Sequence, residues 1–472
     1  MVSTPTTRRS ARCSPTSRYR TLARMLHRTK TQLGSEGGPS GSPSLPKRAT
    51  AVIVLAVLLF GGGAILSSFD PPVAKIAAPD LAAEVVGVPG EDAPKASVDS
   101  LERVVEAGSD DPEDHSSLAL LYLQAVRSEA DPTYLSRAET LLKTSLELQP
   151  DGNFPAYVGM ASLSNGRHDF LGSVRWSRRA IATNSHNATP YGLLGDALFE
   201  LGRTGAADRA YQRMIDIRPD LASYVRASYS FQYRGETDQA LSAMRLALES
   251  AGPAGEGPAW IRHQKGDIHF GIGDLDDALR QNKLGRRLAP GYVPPTVGVA
   301  EVLTARGRID RAIPILERAA ERLPSLEYMV KLGDLYTAEG RKKEAAAQYQ
   351  RVGERLALYR ANGVLPDIDF ILFYADHGLR PRAALDEVRT MYAQRPTAGV
   401  AEAYAWMLHS LGRDDEALPY ARRSVRGPSI SADPFYQAGV IAAEAGLPKM
   451  AQRYMRAARS QEWNLRVLYR RR

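Results

Sequence analysis

A glycine and an alanine five residues apart recur every 33 to 38 residues through the C-terminal half of this 472-residue chain. The pairs are Gly202/Ala207, Gly235/Ala240, Gly273/Ala278, Gly307/Ala312, Gly340/Ala345, Gly378/Ala383, Gly412/Ala417 and Gly446/Ala451. A period of that size marks a stack of small supersecondary units, each packed on its neighbours. It restricts the chain to what a repeated surface can do, and binding comes first among those functions.

One copy shows the physics behind the period. Residues 188–221 carry Tyr191, Leu194, Gly195, Leu198, Gly202, Ala207, Tyr211 and Pro219, with apolar residues at three- and four-residue spacing on both sides of Gly202. That pattern predicts two amphipathic helices joined by a turn. Gly195 and Ala207 let the helices approach, Tyr191, Leu198 and Tyr211 fill the seam between them, and Gly202 ends the first helix in a left-handed conformation. Pro219 stops the second. A single hairpin leaves an apolar face bare, and a neighbour that covers it gains about 1.5 to 3 kcal/mol for each large side chain fully buried.

On these residues the chain resembles the tetratricopeptide repeat family, whose unit is about 34 residues long. The copy starting at Leu326 matches with Leu332, Gly333, Tyr336, Gly340, Ala345 and Tyr349, and Pro290 and Pro324 close two others. The resemblance implies an all-α fold, a right-handed superhelix (α-solenoid) of about 9 to 10 helix-turn-helix repeats over residues 99–462. Residues 100–107 read as a terminal capping helix. Between Leu365 and Pro396 the frame slips, which a one-residue insertion in the turn near Gly378 explains. Two intervals are long, and their extra residues fall at 250–258 and 359–367, read as surface loops because loop closure entropy grows slowly with length.

Ahead of the array, residues 49–69 are uncharged and mostly apolar. At about 1.5 Å per residue such a run spans a hydrocarbon core of roughly 30 Å, which predicts one transmembrane helix. Residues 1–48 hold ten Lys or Arg against Glu36, and residues 70–114 hold three basic against twelve acidic residues. The positive-inside rule then puts the N-terminus in the cytoplasm of a single-pass cell-membrane protein, with the array extracytoplasmic. The alternative is a secreted chain, with 52–60 as the apolar core of a signal peptide cleaved near Gly62-Gly63-Ala64. Met25 is an alternative start that leaves this orientation unchanged.

Residues 1–48, rich in Ser, Thr, Gly, Pro and Arg, read as a basic disordered tail, and 70–98 as a Pro/Ala-rich linker. The sole cysteine, Cys13, leaves the array no disulfide to form. Of the formal charge of +8, residues 449–472 supply eight basic residues against Glu462, and 463–472 read as a basic C-terminal tail. No HExxH, paired Cys/His spacing, nucleophile elbow or phosphate loop is present, so the expectation is no enzyme, no cofactor and no metal. His263 and His269 are six apart and do not stack as ligands on one helix.

In the family, positions 2, 5, 9, 12 and 13 of each first helix face a concave ligand groove. Carried over, these are Asp196, Tyr229, Asp267, Glu301 and Asp334 at position 9, Phe199 and Phe270 at position 12 and Tyr233 at position 13. Trp260 and His263 stand at positions 2 and 5, and later copies add Trp406, His409 and Tyr436. Aromatic groups beside carboxylates imply a protein or peptide partner with basic and apolar side chains and no nucleic acid. The function expected is a membrane-anchored scaffold for protein-protein interactions in envelope assembly or secretion; the alternative is a secreted binding protein for an envelope polymer or peptide.

Overall fold

The computed structural model describes residues 95–426 and 432–460. They form a capping helix α1 (Lys95–Glu106) and ten helical hairpins. The hairpins are α2 (Pro112–Ser128) with α3 (Thr133–Leu148), α4 (Phe154–Gly166) with α5 (Phe170–Thr183), and α6 (Thr189–Glu200) with α7 (Thr204–Ile217). Next come α8 (Leu221–Tyr233) with α9 (Thr237–Ser250), α10 (Glu256–Gly271) with α11 (Leu275–Leu288), and α12 (Pro294–Ala305) with α13 (Ile309–Arg322). The array continues through α14 (Leu326–Ala338) with α15 (Lys342–Ala361) and α16 (Ile368–His377) with α17 (Pro381–Gln394). It closes with α18 (Ala398–Ser410) and α19 (Asp414–Ser424), then α20 (Asp433–Glu444) and α21 (Pro448–Ser460).

The recurring glycines punctuate these hairpins. Gly202, Gly235, Gly273, Gly307, Gly340, Gly378, Gly412 and Gly446 all have φ between 63° and 83°, the left-handed region that a Cβ disfavours. After α6, the Gly202 amide bonds the Phe199 carbonyl at 2.9 Å and the Arg203 amide bonds the Leu198 carbonyl at 2.8 Å, which satisfies two carbonyls at the helix end. The second helix normally begins two residues after the glycine, whereas α17 begins three after Gly378, with Arg380 also left-handed at φ 46°. That extra residue is the inserted one. In the α4–α5 turn the left-handed position is held by His168 (φ 60°).

The core is a chain of local clusters. Ala312, Ile313, Leu316, Leu332, Tyr336 and Ala345 bury one junction, and Met214, Val225, Ala240, Met244, Ile261 and Ile268 another. Each spans neighbouring hairpins, so stability passes along the array by contact between adjacent units.

The expectation of a membrane-anchored chain is corrected here: no helix among the described residues is long and apolar enough to cross a membrane. The longest, α15, has 20 residues but carries Lys342, Lys343, Glu344, Arg351, Glu354, Arg355 and Arg360. The apolar run 49–69, the basic tail 1–48 and the C-terminal residues 463–472 lie outside the described residues. The described fold is an all-α solenoid. The same finding overturns the anchor and the cell-membrane location expected from residues 49–69.

A second correction concerns the insertion at 359–367. Rather than an isolated surface loop, it is the point where one superhelical turn meets the next. Arg167 Nε donates to the Asn362 carbonyl at 2.9 Å, Ser136 Oγ donates to Asn362 Oδ1 at 2.8 Å, and the Leu365 amide donates to the Arg167 carbonyl at 3.0 Å. His168 Nδ1 lies 3.0 Å from the Leu365 carbonyl, and Arg355 bonds the Ala130 carbonyl. One hairpin further on, Arg395 binds Glu200 at 2.9 Å, also binds Asp367, and sits 4.9 Å from the centroid of the Phe170 ring. The Arg167–Asn362 and Arg395–Glu200 bonds share an offset of 195 residues. At 33 to 38 residues per hairpin, 195 residues is between five and six hairpins, so successive turns touch in register.

Candidate functional site

The bonds between turns bring the hairpins of residues 167–362 round to one another. Side chains far apart in sequence sense each other there: Arg127, exposed at the end of α2, is lowered by burial, with Tyr292 ahead of α12 and Arg226 on α8 acting on its charge. Tyr292 is raised by burial and by Glu256, Tyr328 and Tyr229. Arg127 is exposed and Tyr292 half-buried, so both keep contact with solvent while burial acts on their charge.

Acidic groups line this face from α10 to α20. Asp267 on α10 is 39% exposed, and its carboxyl is pushed up to about 6 by burial and by Glu301, against the pull of His263. His263 Nε2 lies 3.4 Å from Asp267, and its Nδ1 lies 2.9 Å from Asn282 Oδ1, so the ring is fixed at both nitrogens. On α14, Lys331 binds both Glu301 and Glu327. Burial would lower that ammonium, but the two carboxylates raise it. Glu327 is held below its ordinary value, because Lys331 outweighs burial.

Farther along, compensation fails. Asp369 on α16 is raised by burial, Asp367 and Glu327. Glu402 on α18 is pushed up to about 8 by burial, then by Asp433 and Asp369. Among the described residues neither Glu402 nor Asp369 makes an ion pair. This face therefore runs from a self-neutralised stretch at Glu301, Glu327 and Lys331 to Asp369 and Glu402, which make no ion pair among the described residues.

The expected groove residues divide by environment. Tyr229 and Tyr233 are 39% and 45% exposed. The Tyr229 hydroxyl donates to Gln264 Oε1 at 3.2 Å, and Tyr233 packs edge-on to Phe199 at 5.0 Å. Phe270 and Tyr436 are half-buried. Asp196 accepts from Arg226 at 2.8 and 2.9 Å and from the Tyr211 hydroxyl at 3.1 Å, which ties α6 to α7 and α8. Asp334 accepts from the Tyr349 hydroxyl at 2.8 Å. Trp260 is buried in the core, and buried Trp406 donates to Asp376 at 2.8 Å while stacking on His409, itself 2.5 Å from Asp414. Tyr229, His263, Asp267 and Glu301 thus share one wall, whereas Asp196, Asp334, Trp260, Trp406 and His409 spend their polar or apolar surface on neighbours.

Glu327, Lys331, Asp369 and Glu402 went unread in the sequence. Glu327 is position 2 of the copy starting at Leu326, and Glu402 is position 5 of the copy starting at Ala398, both groove-facing positions in the family. Asp369 falls where the repeat frame slips, and Lys331 at position 6 carries no family signal. His269, Asp274 and Asp277 bring ligand-type atoms within 4.8 Å of one another. Two of them already have work: Asp274 caps α11 through the Asp277 amide at 3.1 Å, and Asp277 pairs with Arg280.

Residues 188–221 and 300–355 match family models of the tetratricopeptide repeat. The chain is 25% identical over 185 residues to anaphase-promoting complex subunit 7 of Arabidopsis thaliana, which covers 39% of this chain and 32% of that protein. It is 27% identical over 143 residues to the CTR9 homolog of the same plant, covering 29% of this chain and 13% of that protein. The chain thus spans a third or less of either relative. Among solved structures, a human IFIT1 dimer with PPP-AAAA superimposes with a TM-score of 0.43 at 16% identity, covering 70% of this chain and 78% of that one. A tetratricopeptide repeat protein from Parabacteroides merdae gives a TM-score of 0.31 at 16% identity, covering 52% and 95%. Both matched segments lie within the all-helical solenoid and coincide with its helical hairpins.

Proposed function

We propose that the array is a scaffold whose concave face holds a polypeptide segment bearing lysine or arginine among apolar side chains. One observation carries the reading: burial and neighbouring carboxylates hold Asp369 and Glu402 above their ordinary range, and neither makes an ion pair among the described residues. A cation delivered between them would meet charge in surroundings where attraction is strong. Tyr229, Tyr233 and Phe199 offer apolar contact and ring faces on the same side of the hairpins.

The test is calorimetric titration of the full chain with a synthetic peptide alternating lysine and leucine, and with its glutamate counterpart. The basic peptide binds, the acidic one does not, and Glu402→Gln with Asp267→Asn weakens binding by about tenfold, as loss of roughly 1.4 kcal/mol requires. Because Glu402 is partly protonated near neutral pH, binding releases protons, seen as heats that differ between buffers of different ionisation enthalpy. Equal binding of both peptides, or of an uncharged polysaccharide alone, would refute the reading.

A further inference from the structure

We propose that the channel takes its ligand as a linear segment with a free end, threaded along the superhelix axis, and does not admit a segment held between two folded bodies. The inference rests on the binding reading above and adds the mode of entry. Its ground is the contact between turns. The chain from Arg167 to Asn362 makes one circuit and returns to hydrogen-bond its own start. The closure is not a single touch. It includes a main-chain bond from Leu365 to Arg167, a side-chain bond from Ser136 to Asn362, and the Arg395 bridge to Glu200 and Asp367.

The seam is fitted at close range. At Gly363, φ +80°, a Cβ would come within 3.0 Å of the Arg167 side chain, and at Gly202 within 2.9 Å of Thr397. Arg395 is 5% exposed, and the His168 ring stacks on Phe170 at 5.9 Å and meets Phe370 edge-on at 6.5 Å. Contacts at this range hold the two turns together at the seam and close the circuit there. Asp267, Glu301 and Glu327 come from hairpins within this circuit, so a ligand reaching them arrives through an end of it.

The experiment compares three forms of the lysine/leucine peptide on the full-length protein: free at both ends, carrying a compact folded domain at one end, and carrying one at each end. Threading predicts that the first two bind and the third does not. In Arg167→Ala/Arg395→Ala, which opens the seam, the doubly blocked form gains binding. A second variant guards against misfolding of the first: Ser136→Cys/Asn362→Cys in a Cys13→Ser background, oxidised to lock the seam. It keeps wild-type affinity for the free peptide and still excludes the doubly blocked one. Wild-type protein that binds the doubly blocked form as tightly as the free peptide overturns threading while leaving the binding reading intact. A locked form that loses the free peptide shows lateral entry and overturns it too. If the free peptide fails to bind the wild type, the binding reading falls and threading with it.

Discussion

Replacing Arg395 with alanine should loosen the contact between turns without unfolding the hairpins. The guanidinium is 5% exposed and faces two carboxylates, Glu200 at 43% and Asp367 at 29% exposure, with Phe170 against its face. Burial raises Glu200, while Asp367 is held low against its own burial by His168 and Arg395, so the two acids depend on the cation unequally. Breaking a fully buried pair costs about 3 to 5 kcal/mol. Exposed pairs are worth about 0.2 to 1 kcal/mol. With the cation buried and its partners half covered, the loss lies between, about 2 kcal/mol, a share of it the cation–π contact. That is about a 30-fold rise in the population of the opened seam. The amide of Leu365, which donates across the seam to the Arg167 carbonyl at 3.0 Å, reports it by hydrogen exchange. Its protection should fall by that factor, while amides of α14 around buried Leu332 and Leu335 hold theirs. Unchanged protection at Leu365 would refute the claim that Arg395 holds the turns together.

Ala345 is 4% exposed in the cluster that includes Leu316, Leu332 and Tyr336, so Ala345→Leu should overpack that junction by about 1 to 3 kcal/mol, seen as an earlier first transition in thermal unfolding. Glu402 should make stability depend on pH in a stated direction. Its folded value of about 8 lies above its ordinary 4.5, so between these pH values the folded state binds the extra proton and stability falls as pH rises. Glu402→Gln should flatten the melting temperature across that window, and an unaltered slope would show that Glu402 does not carry it.

The hairpins were legible because their signals are local. Gly340 marks its turn, Ala345 its close contact and Tyr336 its seam within one repeat, and a period of 33 to 38 residues needs no knowledge of the rest of the chain. Asp267 and Glu301 stand at family groove positions, and so do Glu327 and Glu402, at positions 2 and 5 of their copies. What could not be read was whether such a residue meets a partner. Asp196 and Glu402 are both acidic residues on first helices, yet Arg226 pairs with one, and among the described residues the other makes no ion pair.

The sequence by itself determined the repeating helical hairpin and the order of its copies, because turn glycines, small contact residues and apolar spacing act within about 40 residues of one another. Tertiary structure alone decided that the array winds onto itself. Each junction adds a small rotation set by the sizes of many packed side chains, and only after 195 residues does their sum bring Arg395 to Glu200 and Arg167 to Asn362. The same sum turned an insertion near Asn362 from a loop into a seam, and placed Asp369 and Glu402 where burial raises their carboxyls.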